Sequence, residues 1–224
     1  MDVSSPEAWD ESFGTDKDRV EGYALRGADT VLRWFLPIPL SDPPRSLSWG
    51  MAARISNLSL SPQVTWKDIA DAWSGAGHSE LLTQPMGTVD HRSMDALLST
   101  LAGVVGLEEE VEYAVWEGYA DMAVLLAHTS SAPADPSRFL TQGGVRTFTA
   151  PLGTLSMFTA EEGRHFPSAV WLRDHHLAIA QPIYNDSCYI SGPRDVCETL
   201  CADDDIDLIE IDPSLLLPSG VVMD

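Results

Sequence analysis

Two short apolar runs on either side of a polar turn constrain the fold of this chain more than any other feature. They lie in residues 169–181, AVWLRDHHLAIAQ, where the apolar runs flank Arg173 and Asp174. Such a pattern predicts a β-hairpin with His175 or His176 beside its turn. Because the strands of a hairpin are antiparallel, any sheet that contains them has an antiparallel part.

The rest of the sequence adds strands and helices in no regular βαβ order. Alternation and β-forming residues predict strands, whereas apolar spacing of three and four residues predicts helices. Strands are expected at 30–36, 111–115, 145–150, 168–172, 176–181, 187–191 and 206–211, and helices at 66–75, 93–105, 152–158 and 193–201. The sequence therefore predicts an α+β fold with a mostly antiparallel sheet.

Two helices carry clear start signals and apolar faces. Thr65 and Asp68 are spaced as a capping box, and Ser93 is a candidate N-cap for the next helix. The apolar faces predict that Trp66, Trp73 and Leu97 are core residues.

The domain organisation follows from composition. Residues 1–22 form an acidic N-terminal arm in which Trp9 and Phe13 are candidate anchors. Residues 23–224 form one α+β domain, or two sub-lobes of it joined near 128–142, where a Pro- and Ser-rich stretch lies. The proline-rich stretch at 41–50, SDPPRSLSWG, is expected to be a loop.

The charge limits the choice of partners. There are 34 acidic and 13 basic residues, which gives a net charge of −21, and the acids are spread along the whole chain. This balance excludes binding of nucleic acid or an anionic membrane through a basic face, whereas it permits a basic protein partner. The alternative is that the acidity only serves solubility. An acidic N-terminus without an apolar segment favours a cytoplasmic protein.

Asp174, His175 and His176 are the candidate catalytic residues if the protein is a metal-assisted hydrolase. Two-metal hydrolases need further Asp and His ligands, and the chain has none in a recognisable frame, so a structural turn is favoured. Cys188, Cys197 and Cys201 favour buried free thiols over a zinc site. We therefore expect no metal and no cofactor.

The candidate binding residues are acidic or aromatic. Asp203, Asp204 and Asp205 are predicted to form a held loop between a helix and the last strand. Glu117 and Tyr119 belong to the string VWEGYAD, in which Tyr119 is either core or part of a binding ridge.

Several motifs together resemble a family of uncharacterised actinobacterial proteins. That family has, in order, a Trp-x-[Asp/Glu]-[Ile/Val]-Ala helix, a Trp-[Glu/Asp]-Gly-[Tyr/Trp]-Gly string, a Gly-Pro-Leu turn and a Ser-Pro-x-x-Trp-Trp-Pro-x-Asp hairpin. The matching segments here are residues 66–70, 116–120, 150–152 and 167–174. Ala120, Ala150 and Val170 depart from the pattern, and the family hairpin has the Asp but no His pair. The resemblance implies no established activity.

The function expected from these observations is that of a non-enzymatic acidic binding protein. Its most concrete form is an immunity-type protein that neutralises a basic toxin or a similar basic partner, by analogy with small acidic immunity proteins. The alternatives are the metal-assisted hydrolase and a structural or regulatory subunit of a larger assembly.

Overall fold

The structure is a computed structural model that describes residues 6–41, 44–78, 80, 82–116, 118, 132–133 and 145–218. It confirms the predicted α+β class with a mostly antiparallel sheet. The strands are β1 (Thr30–Phe35), β2 (Ile38–Ser41), β3 (Pro44–Leu47), β4 (Glu110–Trp116), β5 (Ala132–Pro133), β6 (Val145–Pro151), β7 (Ala169–Leu172), β8 (Leu177–Ala180), β9 (Ser187–Gly192) and β10 (Leu208–Glu210). The α-helices are α1 (Pro6–Ser12), α2 (Trp49–Ile55), α3 (Trp66–Gly75), α4 (His91–Val104) and α5 (Arg194–Cys201), and the 3₁₀ helices are Val20–Tyr23, Leu152–Met157 and Arg173–His175.

Eight strands form the main sheet in the order β10-β1-β9-β8-β7-β4-β6-β5, and every pairing is antiparallel. β2 and β3 form a separate two-stranded sheet. The predicted sub-lobe junction near 128–142 lies outside the described residues, apart from 132–133.

The hairpin predicted from residues 169–181 is confirmed. β7 and β8 pair antiparallel, and Leu172 stands opposite Leu177 at the end of the ladder. The connection is a four-residue loop rather than a tight Arg-Asp turn. It makes one 3₁₀ turn and ends at His176, whose φ of 49° is left-handed. Longer hairpin loops of this kind are commonly built around a helical turn.

The sheet buries apolar side chains on both faces. One face packs under α4 and α5 and forms the largest core cluster, which includes Leu97 and Leu200. The other face is covered by the N-terminal segment. Trp9 and Phe13, the expected anchors, are both buried, and their rings pack 5.1 Å and 6.1 Å from the ring of Trp171. The acidic segment is therefore held on the sheet by aromatic contacts.

Of the two predicted helix N-caps, one is confirmed and the other is wrong. The capping box of α3 is confirmed, since Thr65 accepts a hydrogen bond from the Asp68 amide and the Asp68 carboxylate accepts one from the Thr65 amide. Ser93 as the N-cap of the next helix is wrong. Asp90 caps α4 by accepting a hydrogen bond from the Ser93 amide at 2.8 Å. The Asp90 carboxylate thus satisfies a backbone amide that has no partner within the first turn, as a serine N-cap would. Ser93 itself is buried inside the helix.

The core predictions are confirmed for two of the three residues. Leu97 and Trp73 are buried. Trp66 is only half-buried and lies at the margin of a separate cluster. Its ring packs edge-on against the ring of Trp49, with the centroids 6.2 Å apart, and the rest of it is left in solvent.

The expectation of a loop at 41–50 is wrong for most of that stretch. β2 and β3 pair there, and α2 begins at Trp49 with Ser48 as its N-cap. Pro44 is tolerated in β3 because a two-stranded sheet has open edges that need no amide donor. Trp49 is fully buried and donates a hydrogen bond from Nε1 to the Leu36 carbonyl at 2.8 Å, which ties the start of α2 to the end of β1. We call residues 36–83 the helical lobe, and it has its own apolar cluster.

A buried arginine joins the helical lobe to the main sheet. Arg33, on β1, is fully buried and forms an ion pair with Asp186 at 3.1 Å. It also donates hydrogen bonds to the carbonyls of Pro62 and Val64, at 2.9 Å and 2.7 Å, and to the hydroxyl of Ser187. One guanidinium thus satisfies groups from two parts of the molecule, as its five donors allow.

Candidate functional site

An open cleft of about 660 Å³ lies between the helical lobe and the edge of the main sheet. One wall is formed by β3 and α2, and the other by the residues that lead from α5 into β10. The first turn of α4 closes one side. The volume falls within the range of ordinary ligand sites. We call it the acidic cleft because of its lining.

Acidic residues predominate in the lining of the acidic cleft. The charged residues described there are Asp90, Asp203, Asp204, Asp205, Asp207, Arg54 and Arg92. Five negative and two positive charges leave the lining at −3. Clustered charge in a recess with low-dielectric walls produces a stronger local potential than the same charges spread over a surface.

The loop with Asp203, Asp204 and Asp205 lies where the sequence predicted it, between α5 and β10. Asp203 accepts hydrogen bonds from the Asp205 amide at 2.9 Å and from the Thr100 hydroxyl at 3.3 Å. Asp205 forms an ion pair with Arg92. These contacts with α4 hold the loop in place, while Asp204 and Asp205 remain exposed to solvent.

Asp207 joins the two walls of the acidic cleft, although no motif in the sequence marks it. Its carboxylate accepts a hydrogen bond from the Gly50 amide at 3.2 Å, in the first turn of α2. A Cβ at position 50 would lie 2.9 Å from Oδ1 of Asp207, so glycine leaves room for the carboxylate. Burial raises the pKa of Asp207, and the hydrogen bond from the Gly50 amide opposes that rise. The sequence does show a glycine, Gly50, next to the start of α2. That glycine points to Asp207 only once the folded structure shows the two residues in contact.

The raised pKa of Asp207 predicts a pH-dependent difference between the wild type and Asp207→Asn. A carboxyl group whose pKa is higher in the folded state stabilises the fold at low pH, and this contribution is lost as the pH rises through the folded pKa. Urea unfolding at pH 7 and at about pH 4 should therefore show the wild type gaining stability relative to Asp207→Asn at the lower pH. The other carboxyl groups are common to both proteins. Parallel pH curves for the two would contradict the prediction.

The residues of the hydrolase alternative do not meet at one point. Asp174 and His175 line a cleft of about 260 Å³ together with Glu109 and Glu112, and His175 Nε2 lies 3.9 Å from a carboxylate oxygen of Glu109. His176 lines a different cleft. Among the residues that the structure describes, no group of three His, Cys, Asp or Glu side chains is placed to hold a metal ion.

We expect protein purified without a histidine tag to contain no stoichiometric zinc, manganese or iron. The physical reason is that a metal-assisted hydrolase needs at least three convergent ligands. The side chains of His175 and His176 line different clefts, so they do not converge. Elemental analysis of the wild type is the measurement. Near-stoichiometric metal in the wild type that is lost in His175→Ala would support the hydrolase instead.

The cysteines are all free thiols. Cys188 and Cys197 are buried, as expected, whereas the expectation is wrong for Cys201, which is exposed at the end of α5 and lines the acidic cleft. Burial raises the pKa of Cys188, and it raises the pKa of Cys197 to about 12. A thiol with a raised pKa is a poor nucleophile at neutral pH.

Glu117 and Tyr119, the other two candidate binding residues, lie outside the described residues. No helix in the described part of the chain is both long and apolar enough to cross a membrane. Comparison with family models, curated protein sequences and solved structures returns no match for this chain.

Proposed function

We propose that the protein is a non-enzymatic binding protein that holds a basic segment of a protein partner in the acidic cleft. The observation that carries the proposal is the convergence of five aspartates on one recess of about 660 Å³. These residues lie between positions 90 and 207 of the sequence, and the fold brings them into one recess.

The acidic cleft suits lysine or arginine side chains in particular. Its lining includes apolar side chains beside the carboxylates, among them Met51 and Leu60. Long basic side chains pack their methylene stems on such apolar surface while their charged ends reach the carboxylates. Asp204, which is exposed at the rim, would act mainly on the association rate.

An immunity-type protein that neutralises a basic toxin is the most concrete form of this proposal. The net charge of −21 favours fast capture of a basic protein, because long-range attraction raises association rates. A structural or regulatory subunit of a larger assembly could use the same cleft. The two forms differ in the partner, not in the surface.

The test compares two variants with the same change in charge. In one, Asp203, Asp204 and Asp205 become Asn; in the other, the exposed acids Glu108, Glu110 and Glu162, which lie outside the acidic cleft, become Gln. A fluorescent oligo-arginine peptide serves as the defined basic probe. Stopped-flow association rates are measured at low and high salt, and thermal melting of each variant checks the fold.

Loss of the cleft charges should slow association by about tenfold at low salt and flatten its salt dependence. The control variant should lose at most about twofold. Equal losses in both variants would show that the peptide responds only to net charge. In that case the acidity would serve solubility, and the acidic cleft would not be the binding surface.

A further inference from the structure

We infer that the open edge of β10 binds the basic segment of the partner in an extended conformation, as a strand added to the main sheet beside the acidic cleft. The inference rests on the proposed function and adds to it the backbone conformation of the partner. Every second side chain of a strand points to the same face, so basic residues at alternate positions can all reach the acidic cleft. The occupant is therefore a strand-forming segment in which basic and apolar residues alternate.

β10 is the outermost strand on one side of the main sheet. It pairs with β1, and no other strand in the described part of the chain pairs with it. Leu208 and Ile209 are half-buried, and Glu210 is exposed. A strand at the edge of a sheet presents unpaired backbone donors and acceptors, which can pair with another chain.

The hydrogen bonds between β1 and β10 show which backbone groups face the open edge. The Phe35 amide donates to the Asp207 carbonyl at 3.0 Å, and the Ile211 amide donates to the Val31 carbonyl at 2.9 Å. Successive residues of a strand direct their backbone groups to opposite edges, so residues 208 and 210 direct theirs away from β1. The open edge thus offers two amide donors and two carbonyl acceptors.

The open edge of β10 begins at the acidic cleft. Leu208 lines the cleft, and the loop at Asp203, Asp204 and Asp205 leads into the strand. Glu210 lies 3.5 Å from Arg194, so that pair adds little net charge to the −3 of the cleft lining. A strand added here would run beside the acids, and basic side chains on it would complement their charge.

β3, on the other wall of the acidic cleft, has a poorer edge. The Thr83 amide donates to the Pro39 carbonyl at 3.1 Å, which directs the backbone of Pro39 away from β3. Ser46 stands opposite Pro39, so its own backbone groups point away from β2. Pro44, the other residue of β3 in that phase, has no amide hydrogen. This edge has one donor where β10 has two.

A second copy of this chain is the other possible occupant of the open edge. Two copies paired along β10 would each bring a net charge of −21 and the acidic loop that precedes the strand. Like charges at that distance oppose association. The charge therefore favours a basic partner over self-pairing.

The first experiment uses a short fluorescent peptide in which Arg and Val alternate, with both ends blocked. Two further versions carry backbone N-methyl groups, one on all the Arg residues and the other on all the Val residues. In an extended strand the amides of the two residue types point to opposite edges, so only one version loses its bonds to β10. Anisotropy titration should show one version weakened by at least about tenfold and the other by less than about threefold.

The second experiment changes the protein. Glu210→Pro and Glu210→Ala both remove the carboxylate that pairs with Arg194, but only the proline removes the amide that faces the open edge. Proline is tolerated in an edge strand where the amide faces solvent. Glu210→Pro should bind the unmethylated peptide about tenfold more weakly than Glu210→Ala does. Thermal melting checks the fold, and the methylated peptides decide the question if the proline variant is unstable.

The outcomes separate this inference from the proposed function. If the unmethylated peptide binds but both methylated versions are weakened equally, or if folded Glu210→Pro binds as well as Glu210→Ala, the added strand is overturned and the acidic cleft stands. If the unmethylated peptide binds the Asp203, Asp204 and Asp205 to Asn variant as well as it binds the wild type, the proposed function itself falls. A dimer of the wild type that Glu210→Pro dissociates would assign the edge to a second copy and overturn the inference.

Discussion

Replacement of Arg33 by methionine is expected to lower the free energy of unfolding by about 3–5 kcal/mol. The side chain is fully buried, and the substitution leaves Asp186 without its charge partner and the Pro62 and Val64 carbonyls without their donor. Burial already raises the pKa of Asp186, and the positive charge of Arg33 opposes that rise. Without the arginine, the carboxyl group must take up a proton or remain as an unpaired charge in the interior.

Two further variants make this expectation specific. Arg194→Met removes an exposed arginine and should change stability by less than about 1 kcal/mol. Arg33→Met combined with Asp186→Leu should be more stable than Arg33→Met alone, since it removes the buried charge together with its partner. Guanidinium chloride unfolding measures all three. A loss below about 1 kcal/mol for Arg33→Met would show that the arginine does not hold the helical lobe to the sheet.

Truncation of Leu97 to alanine is the second change with a large expected effect, about 2–5 kcal/mol. Leu97 is fully buried where α4 packs on the main sheet, and the cavity left behind is bordered by a rigid sheet that cannot collapse into it. Leu216→Ala, at an exposed leucine, is the control and should cost within about 0.5 kcal/mol. A cost for Leu97→Ala no greater than that of the control would contradict the packing of α4.

Local patterns predicted much of the fold, because the information was contained in a few adjacent residues. The β7–β8 hairpin, the capping box at Thr65 and the apolar face of α4 each depend on spacings of two to four residues. The local patterns gave wrong predictions where tertiary contacts determine the secondary structure. The proline-rich stretch at 41–50 forms β3 and the start of α2 because Trp49 is buried in the helical lobe, which composition alone does not reveal.

The acidic cleft was harder to predict, since it is made of residues that are distant in sequence. The loop at Asp203, Asp204 and Asp205 was visible as a run of acids, but Asp90 and Asp207 join it only in the folded chain. Charge counts favour an acidic binding surface in general, but they cannot show which of the acids meet in one recess.

The position of β1 in the sheet has a consequence for synthesis of the protein. β1 pairs only with β9 and β10, so its partners are made about 150 residues later. At translation rates of roughly 5–20 residues per second, β1 has no strand partner for roughly eight to thirty seconds. During that time Val31, Leu32 and Trp34 remain outside the sheet that later buries them. A nascent chain stalled before residue 187 should therefore be a substrate for chaperones that bind extended apolar segments.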